Sequence, residues 1–124
     1  MPTTFDVLDQ RQRQGTDLSA TALVPSGVTS VRGEITMTAA DRANILNAIR
    51  WHILVSLDGV SNWVRLHSDE WTGGTHIDKF TGLPTPNLSR VEITVQPQYW
   101  GWRVRLEVDI AIRQTCGATV TIFP

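Results

Sequence analysis

A chain of 124 residues with 41% apolar and 19% charged residues has the balance of one globular domain, large enough to bury roughly two thirds of its unfolded surface without a disulfide or structural metal. Its formal net charge of −1 argues against a dedicated nucleic-acid binder, which needs a clustered basic excess. No apolar run approaches the ~20 residues of a membrane-spanning helix, and the start Met1-Pro2-Thr3-Thr4-Phe5-Asp6 has neither the basic region nor the apolar stretch of a signal peptide. The chain is therefore expected in the compartment where it is made.

Residues 1–16 come first, and Gln10-Arg11-Gln12-Arg13-Gln14-Gly15 is polar with no helical or strand face. An extended N-terminal arm is expected there, able to lie on a neighbouring subunit, with residues 17–124 forming one domain. Ala20, Ala22 and Val24 then alternate, the turn Pro25-Ser26-Gly27 follows, and Val31, Ile35 and Met37 mark another strand. The period stops at Thr38-Ala39-Ala40-Asp41, where an N-cap residue followed by a carboxylate predicts a short helical turn near 39–47. Alternation resumes with Ile49, Trp51, Ile53, Val55 and Leu57 on one side, against Arg50, His52, Leu54 and Ser56. After an Asp58-Gly59 turn come Val64 and Leu66.

Residues 72–89 are the longest stretch without a period, and a loop of that length is more often functional than idle. Val91, Ile93 and Val95 make another short strand before Pro97. The clearest run is Trp102, Val104, Leu106, Val108, Ile110 and Ile112, alternating with Arg103, Arg105, Glu107, Asp109, Ala111 and Arg113. Gly117 is read as the turn into a last strand of Ala118, Val120 and Ile122. Alternation with one polar face is the mark of antiparallel strands. The whole predicts an all-β fold, an antiparallel β-sandwich of jelly-roll or immunoglobulin-like type or a closed barrel, with about seven or eight strands.

Residues able to do chemistry are sparse. His52, His67 and His76 lack the close His or Cys partners of a zinc site, and His76 with Asp78 supplies only two ligands. Asp69 and Glu70 are adjacent and so point to opposite faces of a strand, which does not suit paired acid and base work. The single cysteine, Cys116, has uncharged neighbours and reads as a small buried filler. There is no Gly-x-Ser-x-Gly, phosphate loop or dinucleotide fingerprint. No catalytic residue, metal or cofactor is expected.

Five tryptophans are the most distinctive feature. Trp51 and Trp102 fall on core faces. Trp63, Trp71 and Trp100 do not fall there so clearly; flat aromatic area suits protein or sugar contacts, and the mixed-charge face that holds Arg103 and Arg105 suits protein contacts. With His76, Asp78 and Phe80 of the long loop they make the candidate interaction surface. Ten of the eleven cations are Arg, the residue favoured where planar contacts are made to a partner.

Ser56-Leu57-Asp58-Gly59-Val60-Ser61-Asn62-Trp63 resembles the Asp-box hairpin of sialidases, a structural turn without glycoside chemistry. Ala40-Asp41-Arg42, Ser56-Leu57-Asp58-Gly59 with Trp63, Trp71-Thr72-Gly73-Gly74 and Gly101-Trp102-Arg103-Val104-Arg105 together resemble small β-sandwich virion proteins of tailed bacteriophages, over roughly residues 31–113. That resemblance implies a non-enzymatic capsid decoration protein or minor head or tail protein. Its partners would be a major capsid or tail protein and further copies of itself, with no nucleic acid and no membrane, and its place would be the virion, assembled in the host cytoplasm. The alternative is a carbohydrate-binding module in which Trp63, Trp71 or Trp100 stack on a glycan and His76 or Asp78 bonds its hydroxyls.

Overall fold

Seven strands, most of them alternating apolar and polar residues, build the computed structural model, which describes residues 2–37, 49–71 and 88–124 and all their side chains but those of residues 71 and 111–114. The strands are β1 (Thr3–Leu18), β2 (Ala22–Leu23), β3 (Ser30–Met37), β4 (Ile49–Ser56), β5 (Val64–Trp71), β6 (Leu88–Thr94) and β7 (Arg103–Phe123), with a 3-10 turn at Pro97–Tyr99. Every pairing is antiparallel, and the hydrogen-bonded order is β5-β4-β7-β3-β6, with β1 and β2 also on β7. This is the all-β antiparallel fold that the alternation requires.

The last strand organises both layers. Its first half, Arg103 to Ile110, takes β4 on one edge and, on the other, β2 and the Gly15 to Leu18 part of β1. Its second half, Cys116 to Phe123, takes β3 on one edge and the Thr3 to Arg11 part of β1 on the other. So β4 and β3 follow one another along a single edge of β7, and the β1–β7 ribbon passes from one layer to the other. Between the pairs Arg13↔Gln114 and Gly15↔Ile110 the register advances two residues on β1 and four on β7, and surplus residues of this kind bend a strand.

The two inner faces meet at Gly33. A Cβ there would lie 2.9 Å from Trp51 Cζ3 and 3.2 Å from Leu106 Cδ2, so glycine in β3 is what lets the fully buried Trp51 of β4 cross the interior. A short polar chain also joins the layers. Trp51 Nε1 donates to Ser89 Oγ at 3.1 Å, and Ser89 Oγ donates to Asp69 Oδ2 at 3.1 Å, so these buried groups satisfy one another. The faces read as core from alternation, Ile49 to Val55 and Val104 to Ile110, are buried at every inward position. Cys116 is buried too.

Four expectations need restating. Residues 1–16 were expected as a separate arm; residues 3–18 are instead β1, paired with β7 of the same chain, and a boundary at residue 16 falls inside that strand. A ladder needs only backbone donors and acceptors, so a polar edge strand with two buried residues, Val7 and Arg13, still pairs. Gly117 is not a turn but lies within β7, where a Cβ would come 2.9 Å from the Leu8 carbonyl oxygen in the irregular part of β1. Leu57, placed on the core face by its period, lies beyond the end of β4 and is exposed. Of the loop expected at 72–89, Leu88 and Ser89 already belong to β6; residues 72–87, like the helical turn expected near 39–47, lie outside the described residues.

Arg13 fastens the bend in β1. Its buried guanidinium donates from Nε to the Cys116 carbonyl at 3.1 Å, from Nη1 to Asp17 Oδ2 at 2.5 Å, and from Nη2 to Asp9 Oδ1 at 2.9 Å and to the Asp9 carbonyl. A planar cation with five donors spread over three nitrogens can make these four bonds at once, whereas a lysine has three donors on a single nitrogen.

Candidate functional site

The turn between β4 and β5 is built around one carboxylate. Asp58 Oδ1 accepts from the Val60 and Ser61 amides, each at 2.9 Å, and Oδ2 accepts from Ser61 Oγ at 3.0 Å. Ser56 Oγ lies 2.8 Å from Asp58 Oδ1 and 2.5 Å from the Ser61 carbonyl, either of which can take its one proton, and it accepts from the Gly59 amide at 3.1 Å. The backbone amides of Ser61 and Val60, helped by the two hydroxyls, hold the Asp58 carboxyl well below the usual carboxylate range. Gly59 and Asn62 take left-handed backbone conformations, at φ 73° and 55°. Gly59 also lies against Arg103, since a Cβ would fall 2.8 Å from Arg103 Cγ.

A turn fixed at so many points holds its apolar tips in water. Leu57 is 70% exposed and Val60 81%, with Val64 at 40% beside them. Across the sheet, Arg103 is paired with Ser56 on one side and with Leu23 on the other, and Leu23 is exposed as well. Trp100 lies just ahead of Arg103, partly exposed, its Nε1 donating to the Val28 carbonyl at 3.0 Å. Among the described residues, five of the seven exposed large apolar side chains therefore belong to this one pole of the sandwich: Leu23, Leu57, Val60, Val64 and Trp100.

Cations share the pole. Trp63 donates from Nε1 to the Val60 carbonyl at 3.3 Å, and the Arg105 guanidinium lies 3.8 Å from the centre of its ring. Register places Leu54 between Arg65 and Arg105, and Leu54 is buried although it lies on the outer face. Arg65, Arg103 and Arg105 have no ion pair among the described residues. Arg105 Nε is buried there without a hydrogen-bond partner. The ion-paired arginines among the described residues lie elsewhere: Arg11 and Arg13 with Asp9, Arg13 with Asp17, Arg32 with Glu92, Arg50 with Glu70. At the pole Asp58 is committed to its own turn.

A second cluster lies further along the same face. Arg50, His52, Ser68, Asp69 and Glu70 line a shallow depression, and His52 Nδ1 is 2.7 Å from Ser68 Oγ. Ser68, His52 and Glu107 are the residue types of a hydrolase triad. However, His52 Nε2 is 4.0 Å from Glu107 Oε1, too far for the hydrogen bond that would orient the ring. Burial lowers the His52 pKa and Arg65 and Arg50 lower it further, against the opposing pull of Glu107 and Asp109. The arrangement is a cross-strand row of compensating charges. Among the described residues no group of three His, Cys, Asp or Glu could hold a metal ion, and no helix is long and apolar enough to cross a membrane.

Of the residues expected at an interaction surface, Trp63, Arg103 and Arg105 come together at the pole, with Trp100 at the same end of β7. Trp71 ends β5 opposite Ile49, and His76, Asp78 and Phe80 lie outside the described residues. Leu57, Val60, Val64, Arg65 and Leu23 were not singled out. The signal for the first two was apolar residues flanking an Asp-Gly turn, where nothing can pack over them.

No protein-family model matches the chain, and no curated protein matches it in sequence. Its fold does have solved counterparts. The structure of infectious bursal disease virus Gx strain covers 98% of this chain at a TM-score of 0.54 and 14% identity, and that virus's VP2 subviral particle covers 98% at 0.51 and 12%. The shared feature is the fold. The chain spans 32% of each of those proteins, about a third of their length. A carbohydrate-binding module of the β-sandwich superfamily overlays 98% of this chain and 53% of its own at 14% identity, but its TM-score of 0.45 is too low to argue from.

Proposed function

We propose that this chain is a non-enzymatic structural protein of a virus particle, a capsid decoration protein or a minor head or tail protein of a tailed bacteriophage, that works by binding other particle proteins through its β4–β5 pole. The observation that carries the reading is a rigid turn presenting Leu57 and Val60 beside arginines that have no ion pair among the described residues. Apolar area and unspent cationic donors are left in water beside a turn whose backbone is held at several points, which is the design of a preorganised interface. A β-sandwich shared with a viral particle protein, and the resemblance of the turns and tryptophans to virion proteins, support the same role. Self-association into a symmetric oligomer fits a particle component.

Glycan binding gains less from the geometry. A stacking platform needs a free aromatic face, and one face of Trp63 carries the Arg105 guanidinium. Gradient sedimentation of lysate from cells producing the protein, with peptide mass spectrometry of the particle fractions, tests the proposal. Stoichiometric recovery with particles is the expected result; recovery in the soluble fraction alone would overturn it.

A further inference from the structure

We infer that the pole recognises an acidic protein surface, one that offers carboxylates around an apolar seat. The inference rests on the pole being the contact surface, as proposed above, and adds the chemistry of what it contacts. Arg65, Arg103 and Arg105 have no ion pair among the described residues, Asp58 already accepts from two amides and the Ser61 hydroxyl, and Glu107, the next carboxylate along β7, lies beside His52. Positive charge is therefore in excess where the apolar tips protrude. Binding across this surface is favourable when the partner brings the missing negative charge.

The side chains say which anion. The Arg105 guanidinium is held 3.8 Å over the Trp63 ring, and a planar fork held in place suits the two oxygens of a carboxylate. Arg103 is steadied by the packing of its stem against Gly59. The aliphatic tips decide between classes of polyanion. Leu57 and Val60 stand furthest into water, and a nucleic-acid or sulfated-glycan backbone would leave them there, whereas a protein surface can bury them at about 25 cal/mol per Å². An anionic bilayer would be met by tryptophan at the interface depth, but Trp63 is turned back to the Val60 carbonyl and carries Arg105. The fitting partner has Asp or Glu spaced around a pocket or groove lined by aliphatic side chains.

The test uses the full chain and three probes: a fluorescently labelled synthetic amphipathic peptide of Glu and Leu, heparin, and vesicles containing phosphatidylserine. The peptide should bind saturably, weakening about tenfold or more as salt screens the contact. Arg65→Gln/Arg103→Gln, which keeps the side-chain stems, should lower affinity about tenfold, and Leu57→Ser/Val60→Ser should lower it comparably. Circular dichroism checks that both variants stay folded. No binding to the peptide, binding that ignores the arginine changes, or stronger binding to heparin or vesicles would each overturn the inference. Particle recovery separates the two levels: recovery that needs Leu57 and Val60 but not the arginines would keep the contact surface and discard the acidic partner.

Discussion

Two arginine environments divide this molecule. At the bend of the β1–β7 ribbon, Arg13 is buried and its donors end on Asp9, Asp17 and the Cys116 carbonyl. At the turn pole, Arg65, Arg103 and Arg105 have no ion pair among the described residues, and Arg105 rests on an aromatic face instead. The first environment spends all three guanidinium nitrogens on fastening the bend of the fold. The second leaves donors unspent, on a turn already rigid without them. On the proposed reading, stability and recognition fall on different residues of the same type, so a substitution in one region should leave the other largely intact.

The largest expected effect is at the bend. Arg13→Met should lower the free energy of unfolding by about 3 kcal/mol, since it removes the bonds to the Cys116 carbonyl, Asp17 and Asp9 that fasten the bend. Urea denaturation would show it as a lower midpoint, and particle recovery should persist as long as the variant is folded. Ser89→Ala comes next, at about 2 kcal/mol, because it strands the buried Trp51 Nε1–H and removes a donor from Asp69. At the pole, Arg65→Gln and Arg103→Gln should each shift stability by no more than about 0.5 kcal/mol. A large loss there would mean that these arginines hold the fold, and the division between the two regions would be wrong.

The smallest effect is a pH dependence. Burial and the neighbouring Arg65 and Arg50 lower the pKa of His52 in the folded state. The folded chain then takes up a proton less readily than the unfolded one, so stability is fully present above the ordinary histidine pKa of 6.5 and falls as pH drops through it. His52→Gln should flatten the stability profile between about pH 7 and 5. An unchanged slope would show that another group carries it.

Much of the fold could be read from residue type. Ile49 to Val55 and Val104 to Ile110 alternate because one side of each strand is core, and that period survives in any register. β1 gave no such signal, since an edge strand whose side chains mostly face water is constrained by its backbone alone. Gly117 was mistaken for a turn because glycine serves two purposes, and here it makes room for the Leu8 carbonyl. The pole was half legible. Trp63, Arg103 and Arg105 stood out as aromatics and cations, but their meeting depends on which residues of β4, β5 and β7 lie opposite one another, and no single stretch of sequence shows that. Leu57 was hidden by a period that runs one step past the end of its strand.

The central claim is that the β4–β5 pole makes the contact with a particle. The direct measurement is quantitative recovery in purified particle fractions of the wild-type chain, of Leu57→Ser/Arg103→Gln, and of Arg11→Gln as an exposed control in β1, all confirmed folded. The account predicts that wild type and control sediment with particles while the pole variant remains in the soluble fraction. Equal recovery of all three would contradict it.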